Sequence, residues 1–156
     1  MNLPLNVDFS GKVVVITGAG GVLCGEMARA YAQAGAKVAA LDLNEEAVQK
    51  LADELTAEGY ICKGYKANVL DPEALEAVHQ QVLADLGPCD ILINGAGGNN
   101  PKGTTSKDTL DPEDLEGAAE GIKTFFDLDP AGIEFVFNLN FLGTLLPTQV
   151  FAKDMA

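Results

Sequence analysis

A cluster of glycines stands between an apolar run and a helical pattern near the start of the chain. The run from Val13 to Ile16 is typical of a strand buried on both faces. The glycines that follow it are Gly18, Gly20, Gly21 and Gly25. Glycine lets the backbone turn sharply and approach a phosphate closely, and the first amides of a helix attract the negative charge of that phosphate. The spacing therefore predicts a site for the pyrophosphate of a dinucleotide.

An acidic residue completes this unit. The segment from Lys37 to Leu41 has the pattern of a second buried strand, and Asp42 closes it 24 residues after Gly18. A carboxylate at this place can accept hydrogen bonds from the adenosine ribose hydroxyls, and it would repel a 2′-phosphate. No Arg or Lys lies between Gly18 and Glu26, or next to Asp42, to offset that repulsion. The sequence therefore favours NAD over NADP as the cofactor.

The rest of the chain alternates strands and helices around this unit. The apolar stripe expected for the first helix comprises Leu23, Met27, Ala30, Tyr31 and Ala34, and further strands are predicted at 60–68 and 90–94. The later helices have recognisable N-caps at Asn44, Asp71 and Asp129. Alternating strands and helices predict an α/β fold, a Rossmann-type doubly wound parallel sheet with strand order 3-2-1-4.

Residues 1–156 are expected to form a single domain, with 1–11 as a lead-in arm. The segment 99–128 is polar and lacks a sustained period, so we expect a long, mobile loop in which a helical turn could begin at Asp111-Pro112. The last helix begins after Asp129 and is expected to continue to about Ala152. Pro147 predicts a kink in it.

Net charge excludes two classes of partner. With 10 basic and 23 acidic residues, the chain carries a formal charge of −13. Nucleic acid and anionic membrane surfaces would repel such a chain. The sequence also shows no secretory leader and no uninterrupted apolar run of membrane-spanning length.

The cysteines and the one histidine carry no chemistry in this interpretation. Cys24, Cys62 and Cys89 are odd in number and form no CxxC pair, so buried, reduced thiols in a cytoplasmic protein are expected. His79 lies beside two glutamines on a predicted polar helix face and is expected to be exposed. No metal site is predicted.

Four motifs in the expected order identify a family resemblance. The sequence TGAGGVLCG at 17–25 stands where short-chain dehydrogenases/reductases carry TGxxxGxG, and Asn68-Val69 stands where they carry an Asp-Val pair that contacts adenine. The segment 94–97 matches their NNAG motif, and 140–143 matches the NxxG of their long helix. The chain resembles that family over residues 9–98 and 124–152.

The resemblance implies an NAD(H)-dependent oxidoreductase. Asn140 would be the catalytic residue, because the Asn of NxxG holds a water in the family's proton relay. The glycine unit and the resemblance together assign cofactor contacts to Gly18, Gly20, Gly21, Val22, Leu23, Asp42, Leu43, Asn68, Val69, Asn94, Gly95, Ala96 and Gly97. Thr17 is expected to bond backbone near Asn94, which is a structural role.

Two longer sequence segments indicate a group within the family. The segments GGVLCGEMA and INGAGGNNP resemble members that interconvert keto and hydroxy sugar acids, of the D-mannonate oxidoreductase (fructuronate reductase) kind. That implies a small-molecule substrate. It also implies a homo-oligomer, a dimer or tetramer, because family members usually pair long helices such as 130–152.

Three departures from the motifs bear on the cofactor site. Val22 and Cys24 stand where the family has its second and third glycines, and Asn68 replaces the Asp of the Asp-Val pair. Because Val22 does not easily adopt a positive φ, the close backbone approach is expected to shift to Gly20 and Gly21.

The family's chemistry needs residues that this sequence lacks. It uses a Tyr with a Lys four residues later, and an upstream Ser. No YxxxK follows Tyr31, Tyr60 or Tyr65, and the only serines are Ser10 and Ser106. We therefore expect the N-terminal part of a longer enzyme, inactive alone, with its fourth strand as an unprotected sheet edge.

Three interpretations stay open at this point. The first is a short-chain oxidoreductase, acting on a sugar acid or on another carbonyl or alcohol. The second is a non-catalytic NAD-binding or sensing module, and the third is a structural α/β domain with an empty glycine turn.

Overall fold

The computed structural model describes residues 7–115 and 121–156. Within these residues, four parallel strands form one sheet. They are β1 (Val13–Thr17), β2 (Lys37–Asp42), β3 (Cys62–Lys66) and β4 (Ile91–Asn94). The order across the sheet is β3-β2-β1-β4, which confirms the predicted order. β1 lies in the interior of the sheet, so Val14 pairs with Val38 on one side and with Ile91 on the other.

Helices connect these parallel strands. They are α1 (Val22–Gln33), α2 (Glu45–Ala57) and α3 (Pro72–Asp85). The Asn44 side chain caps α2 by accepting a hydrogen bond from the Ala47 amide, and the Asp71 side chain caps α3 through the Glu73 and Ala74 amides, as predicted.

The buried face of α1 differs from the predicted one. The residues that pack on the sheet are Cys24, Ala28 and Ala32, whereas Leu23 is 76% exposed and Met27 is 44% exposed. The predicted stripe was therefore wrong at Leu23 and Met27, whereas Tyr31 is partly buried and packs against the core. Small side chains let the helix approach the sheet closely, and the larger apolar residues then fall on its outer side.

The core has two halves, one on each face of the sheet. Alternate residues of β1 point to opposite faces. Val14 and Ile16 pack with α1 and α2, while Val13 and Val15 pack with α3 and with the end of the last helix. β1 is fully buried as a result, whereas β4 is only half-buried along its length.

The three cysteines are buried and free, as expected. Burial raises the pKa of Cys62 to about 12 and the pKa of Cys89 to about 11. Both thiols therefore stay protonated and behave as small apolar groups.

The segment 99–128 contains short helical turns rather than a featureless loop, although residues 116–120 lie outside the described part. The turns are 3₁₀ at Pro101–Gly103, α4 (Pro112–Leu115) after the predicted Asp-Pro start, and 3₁₀ at Phe125–Asp127. The Lys102 carbonyl accepts a hydrogen bond from the Asp129 amide at 3.1 Å, which ties the first turn to the next helix. The mobility of the segment stays a prediction.

A long helical run follows Asp129. It comprises α5 (Pro130–Phe137), a π-helical turn (Asn138–Leu142), α6 (Gly143–Phe151) and a 3₁₀ turn (Ala152–Met155). The sequence predicted a kink at Pro147. The irregular stretch is the π-helical turn, which lies before Pro147, and Pro147 itself lies inside α6.

The run Pro130–Met155 is long and apolar enough to cross a membrane by length and composition, contrary to the sequence interpretation. Polar residues such as Asn140 and Thr144 interrupt the run, which is why the linear sequence did not show it. Its C-terminal part packs as a core helix does, because Val150 and Phe151 are buried against the α3 side of the sheet.

His79 is buried, and the prediction that it is exposed was wrong. The residue is 5% exposed, and its ring packs edge-on against Phe151 with Nε2 3.0 Å from the Asp154 carboxylate. The same carboxylate accepts a hydrogen bond from the Cys89 amide at 2.9 Å. Asp154 thus fastens the end of the long helical run to α3 and to the start of β4.

We predict that Phe151→Ala lowers the free energy of unfolding by about 3–5 kcal/mol, since this side chain is fully buried between α3 and the sheet. Urea denaturation followed by circular dichroism measures the change. Met155→Ala is the matched control in the same helical run, because Met155 is 45% exposed. Equal losses from the two substitutions would contradict the assigned core.

Candidate functional site

A cleft of about 510 Å³ lies at the carboxyl ends of the strands. It is bordered by the turn after β1, the end of β2, the residues after β3 and the loop after β4. Its lining residues are Gly18, Gly21, Val22, Leu23, Cys24, Asp42, Leu43, Ala67, Asn68, Val69, Gly95, Ala96, Gly97 and Leu139. The strand order reverses beside β1, and open α/β sheets bind ligands at such a switch point.

Asp42 faces the glycine turn. One carboxylate oxygen accepts a hydrogen bond from the Gly20 amide at 3.0 Å, and the other accepts one from the Asn44 amide at 2.9 Å. A Cβ on Gly20 would lie 3.0 Å from this carboxylate. Gly20 thus admits the carboxylate to the turn, and Asp42 keeps lone pairs for hydroxyl donors in the cleft.

Helix α1 begins at the mouth of the cleft. Gly21 is its N-cap, with no side-chain hydrogen bond to the first turn, and the first turn contains no acidic residue. The opening amides and their partial positive charge are therefore available to an anion. Val22 and Leu23 stand at the rim, 84% and 76% exposed.

Two loops meet behind the cleft. The buried Thr17 hydroxyl accepts hydrogen bonds from the Gly95 and Ala96 amides, both at 3.1 Å, as the sequence predicted for this residue. Gly18 has φ +71°, and a Cβ there would lie 2.8 Å from the Gly95 carbonyl and the Ala96 amide. Only glycine satisfies both the dihedral angle and the close approach.

The Asn140 side chain hydrogen-bonds to the loop after β4 at Gly98. Its side-chain oxygen accepts a hydrogen bond from the Gly98 amide at 3.2 Å, and its side-chain nitrogen donates to the Gly98 and Val136 carbonyls, each at 2.8 Å. The Asn140 carbonyl accepts a hydrogen bond from the Thr144 hydroxyl at 3.2 Å. The Asn140 side chain therefore acts here on backbone groups, and a role in proton transfer stays a proposal.

The structure brings eleven of the thirteen proposed cofactor residues to the cleft lining. The other two lie behind it. Gly20 bonds to Asp42, and the Asn94 side-chain nitrogen donates to the Thr148 hydroxyl at 3.0 Å. The sequence interpretation missed three lining residues, Cys24, Ala67 and Leu139. Each is a neighbour of a motif residue, so the motif positions were the available signal.

The cleft offers two kinds of polar group, helix amides and the Asp42 carboxylate. Burial and the nearby Asp42 charge raise the pKa of the Cys24 thiol, so this sulfur is uncharged. Within residues 7–115 and 121–156, no three His, Cys, Asp or Glu side chains are grouped so as to hold a metal ion. The cleft is suited to an elongated ligand with an anionic centre and a hydroxylated end.

These features define a class of protein. A parallel sheet of order 3-2-1-4, a glycine turn opening a helix at the switch point, and a carboxylate ending β2 are the parts of a Rossmann-type dinucleotide-binding fold. The family model for short chain dehydrogenase matches residues 12–156. The chain belongs to the short-chain dehydrogenase family.

Two curated relatives are longer than the part of them that this chain matches. A protein of Haemophilus influenzae, described as an uncharacterized oxidoreductase, is 55% identical over 155 residues, which cover 99% of this chain and 53% of the relative. The uncharacterized oxidoreductase UxuB of Bacillus subtilis is 44% identical over 153 residues, covering 98% of this chain and 53% of the relative. The chain thus spans about half the length of the curated relatives it matches.

Solved structures share the fold. A Haemophilus protein provisionally named a D-mannonate oxidoreductase, crystallised with bound NAD, superposes with a TM-score of 0.90 at 54% identity, covering 96% of this chain and 52% of that one. A hydroxysteroid dehydrogenase of Escherichia coli superposes with a TM-score of 0.75 at 27% identity, covering 96% and 52%.

We predict that Thr17→Val lowers the free energy of unfolding by about 2–4 kcal/mol, because two amides at the junction of the loops lose their acceptor. Thr17→Ser keeps the hydroxyl and is the matched control, expected to lose less than half as much. Urea denaturation measures both. A valine variant as stable as the wild type would show that this hydroxyl does not hold the loops together.

Proposed function

We propose that the cleft binds NAD, with the adenosine end toward β2 and β3. The observation that carries this proposal is the Asp42 carboxylate, held on the glycine turn by the Gly20 amide at 3.0 Å. It is placed to accept hydrogen bonds from the ribose hydroxyls, and Asn68 and Val69 border the position expected for adenine. The NAD-bound relative at 54% identity supports the same ligand.

The pyrophosphate of NAD would lie on the opening amides of α1. Those amides carry about half a positive charge together, and a helix N-terminus is a common phosphate site. Val22 and Leu23 are the residues that open the helix. Gly95, Ala96 and Gly97 would border the rest of the cofactor.

We propose further that the protein is an NAD(H)-dependent oxidoreductase acting on a small molecule. NAD supplies the acceptor or donor of a hydride when it is bound. This chain contributes the cofactor cleft. Through the hydrogen bonds of the Asn140 side chain to Gly98, it also orders the loop after β4. Family membership supports the activity, while the Ser and the YxxxK pair expected of the family are absent from the 156 residues.

The second candidate function is a non-catalytic NAD-binding module. The observation that favours it is the lining of the cleft, which contains, among the residues that the structure describes, no Tyr, Lys or His to exchange a proton with a substrate oxygen. The two candidates share the cofactor site and differ in turnover alone.

For the substrate, we propose a sugar acid of the D-mannonate or fructuronate type. Support comes from the name of the Haemophilus structure and from the segments GGVLCGEMA and INGAGGNNP. We also propose a cytoplasmic homo-oligomer, a dimer or tetramer. Exposed apolar side chains along the long helical run, Phe135, Phe137, Phe141 and Leu145, support self-association.

We predict that Asp42→Ala weakens NAD binding by about ten-fold or more, because two ribose hydroxyls lose a charged acceptor worth about 1.5–3 kcal/mol. The ratio of NADP affinity to NAD affinity should rise in the same variant. Isothermal titration calorimetry measures both affinities.

Asp53→Ala is the control for Asp42→Ala. Asp53 lies on α2, where its carboxylate accepts a hydrogen bond from the Gln49 side chain, outside the cleft. It should leave NAD affinity unchanged. Unaltered NAD binding in Asp42→Ala, or no NAD binding by the wild type at millimolar concentration, would overturn the cofactor proposal.

We predict that the intact protein reduces NAD with D-mannonate at least about ten-fold faster than with D-mannitol, a difference of about 1.4 kcal/mol in transition-state binding. D-mannitol is the control because it has the same carbon skeleton without the carboxylate. The absorbance of NADH measures the rate. NAD binding without turnover on any sugar acid would favour the non-catalytic module.

A further inference from the structure

Two residues of the family motifs touch each other. Cys24 stands where TGxxxGxG has its last glycine, and Gly95 belongs to the segment 94–97 that matches NNAG, at the position of its second asparagine. In the structure, a Cβ on Gly95 would overlap the Sγ of Cys24. The side chain of Cys24 thus fills the space that an amino acid other than glycine would need at position 95.

The contact lies in the wall of the cleft. Cys24 and Gly95 both line it, on helix α1 and on the loop after β4. Cys24 is 9% exposed, and burial raises the pKa of its thiol, so the contact is between neutral groups in close packing. Close-packed walls respond to changes as small as one methyl group.

We propose that Cys24 is a positioning residue for the cofactor: its side chain, packed against the bare backbone of Gly95, sets the height of the 95–97 loop over the cleft. Cys24 and Gly95 act as one interlocked pair that replaces the glycine and asparagine of the family motifs. The inference rests on the proposed binding of NAD to this cleft.

The sheet order locates the effect along the cofactor. β4 and β2 flank β1 on opposite sides, so their carboxyl ends lie about 10 Å apart at the usual strand spacing. Asp42 ends β2, and the interlocked pair fixes the loop after β4. The pair therefore acts on the part of NAD beyond the adenosine monophosphate, and AMP binding should not depend on it.

The test uses Gly95→Ala, Cys24→Gly and the double variant, with NAD and AMP titrated calorimetrically against each. Gly95→Ala should weaken NAD binding by about thirty-fold or more, because steric overlap in a packed site costs about 2 kcal/mol. Adding Cys24→Gly should recover at least about ten-fold of that loss, since the overlapping sulfur is gone. Recovery is expected to be incomplete, because a Cβ at 95 also lies 2.9 Å from the Thr17 carbonyl oxygen.

The control is Cys62→Gly, the same substitution as Cys24→Gly at a buried cysteine outside the cleft lining. Cys62 lies at the start of β3 and is 6% exposed. NAD and AMP affinities should stay within about three-fold of wild type. AMP affinity should also be unchanged in all three pair variants, which a general loss of structure would not allow.

Thermal denaturation shows which variants fold. If Gly95→Ala does not fold, Cys24→Gly alone decides the proposal, since the cavity it leaves should weaken NAD binding about five-fold with AMP unaffected. Additive effects of the two substitutions, or equal loss of NAD and AMP binding, would overturn the inference while leaving NAD as the ligand. A wild type that binds no NAD would overturn the proposed function and this inference together.

Discussion

The structure depends on a contact between two backbones, the turn after β1 and the loop after β4. Gly18 makes the contact possible, because it combines a φ of +71° with an approach that no side chain would fit. The Thr17 hydroxyl then satisfies two amides of the facing loop. With the loops joined in this way, the opening of α1, the end of β2 and residues 95–97 share one cleft. Residues far apart in sequence become one site through this junction.

Local charge rather than overall charge explains how an acidic chain could take an anionic cofactor. The formal charge of −13 would repel NAD at long range, although salt screens such repulsion over about 8 Å. At contact, the uncapped amides that open α1 present the opposite sign. Asp42 carries negative charge in the same cleft, but it is positioned at the hydroxylated end of the proposed ligand. The two signs are therefore separated along the cleft, which would also fix the direction in which the ligand lies.

The sheet and its order could be predicted from sequence, because buried parallel strands, glycine turns and Asp or Asn caps are local signals. The motifs likewise located most of the cleft lining. The predictions that were wrong concern features that are decided by tertiary packing. The buried face of α1 is made by Cys24, Ala28 and Ala32, small residues whose burial is decided by the approach of the sheet. His79 has polar sequence neighbours, yet it is covered by Phe151 and Asp154, more than 70 residues away. Cys24 was recognised only as a departure, since its partner Gly95 is brought close by the fold.

The π-helical turn at Asn138–Leu142 has a consequence for the orientation of the last helix. Each residue of an α-helix advances the side-chain direction by about 100°, and a π turn accommodates one additional residue without that advance. Beyond the turn, Gly143, Pro147, Val150 and Phe151 all face inward, whereas Gly132 is the buried residue of α5. In an uninterrupted α-helix the same sequence would be rotated by roughly a quarter turn, and the ring of Phe151 would swing away from the sheet. One surplus residue in the middle of the run thus keeps both of its halves in phase with the surfaces they cover.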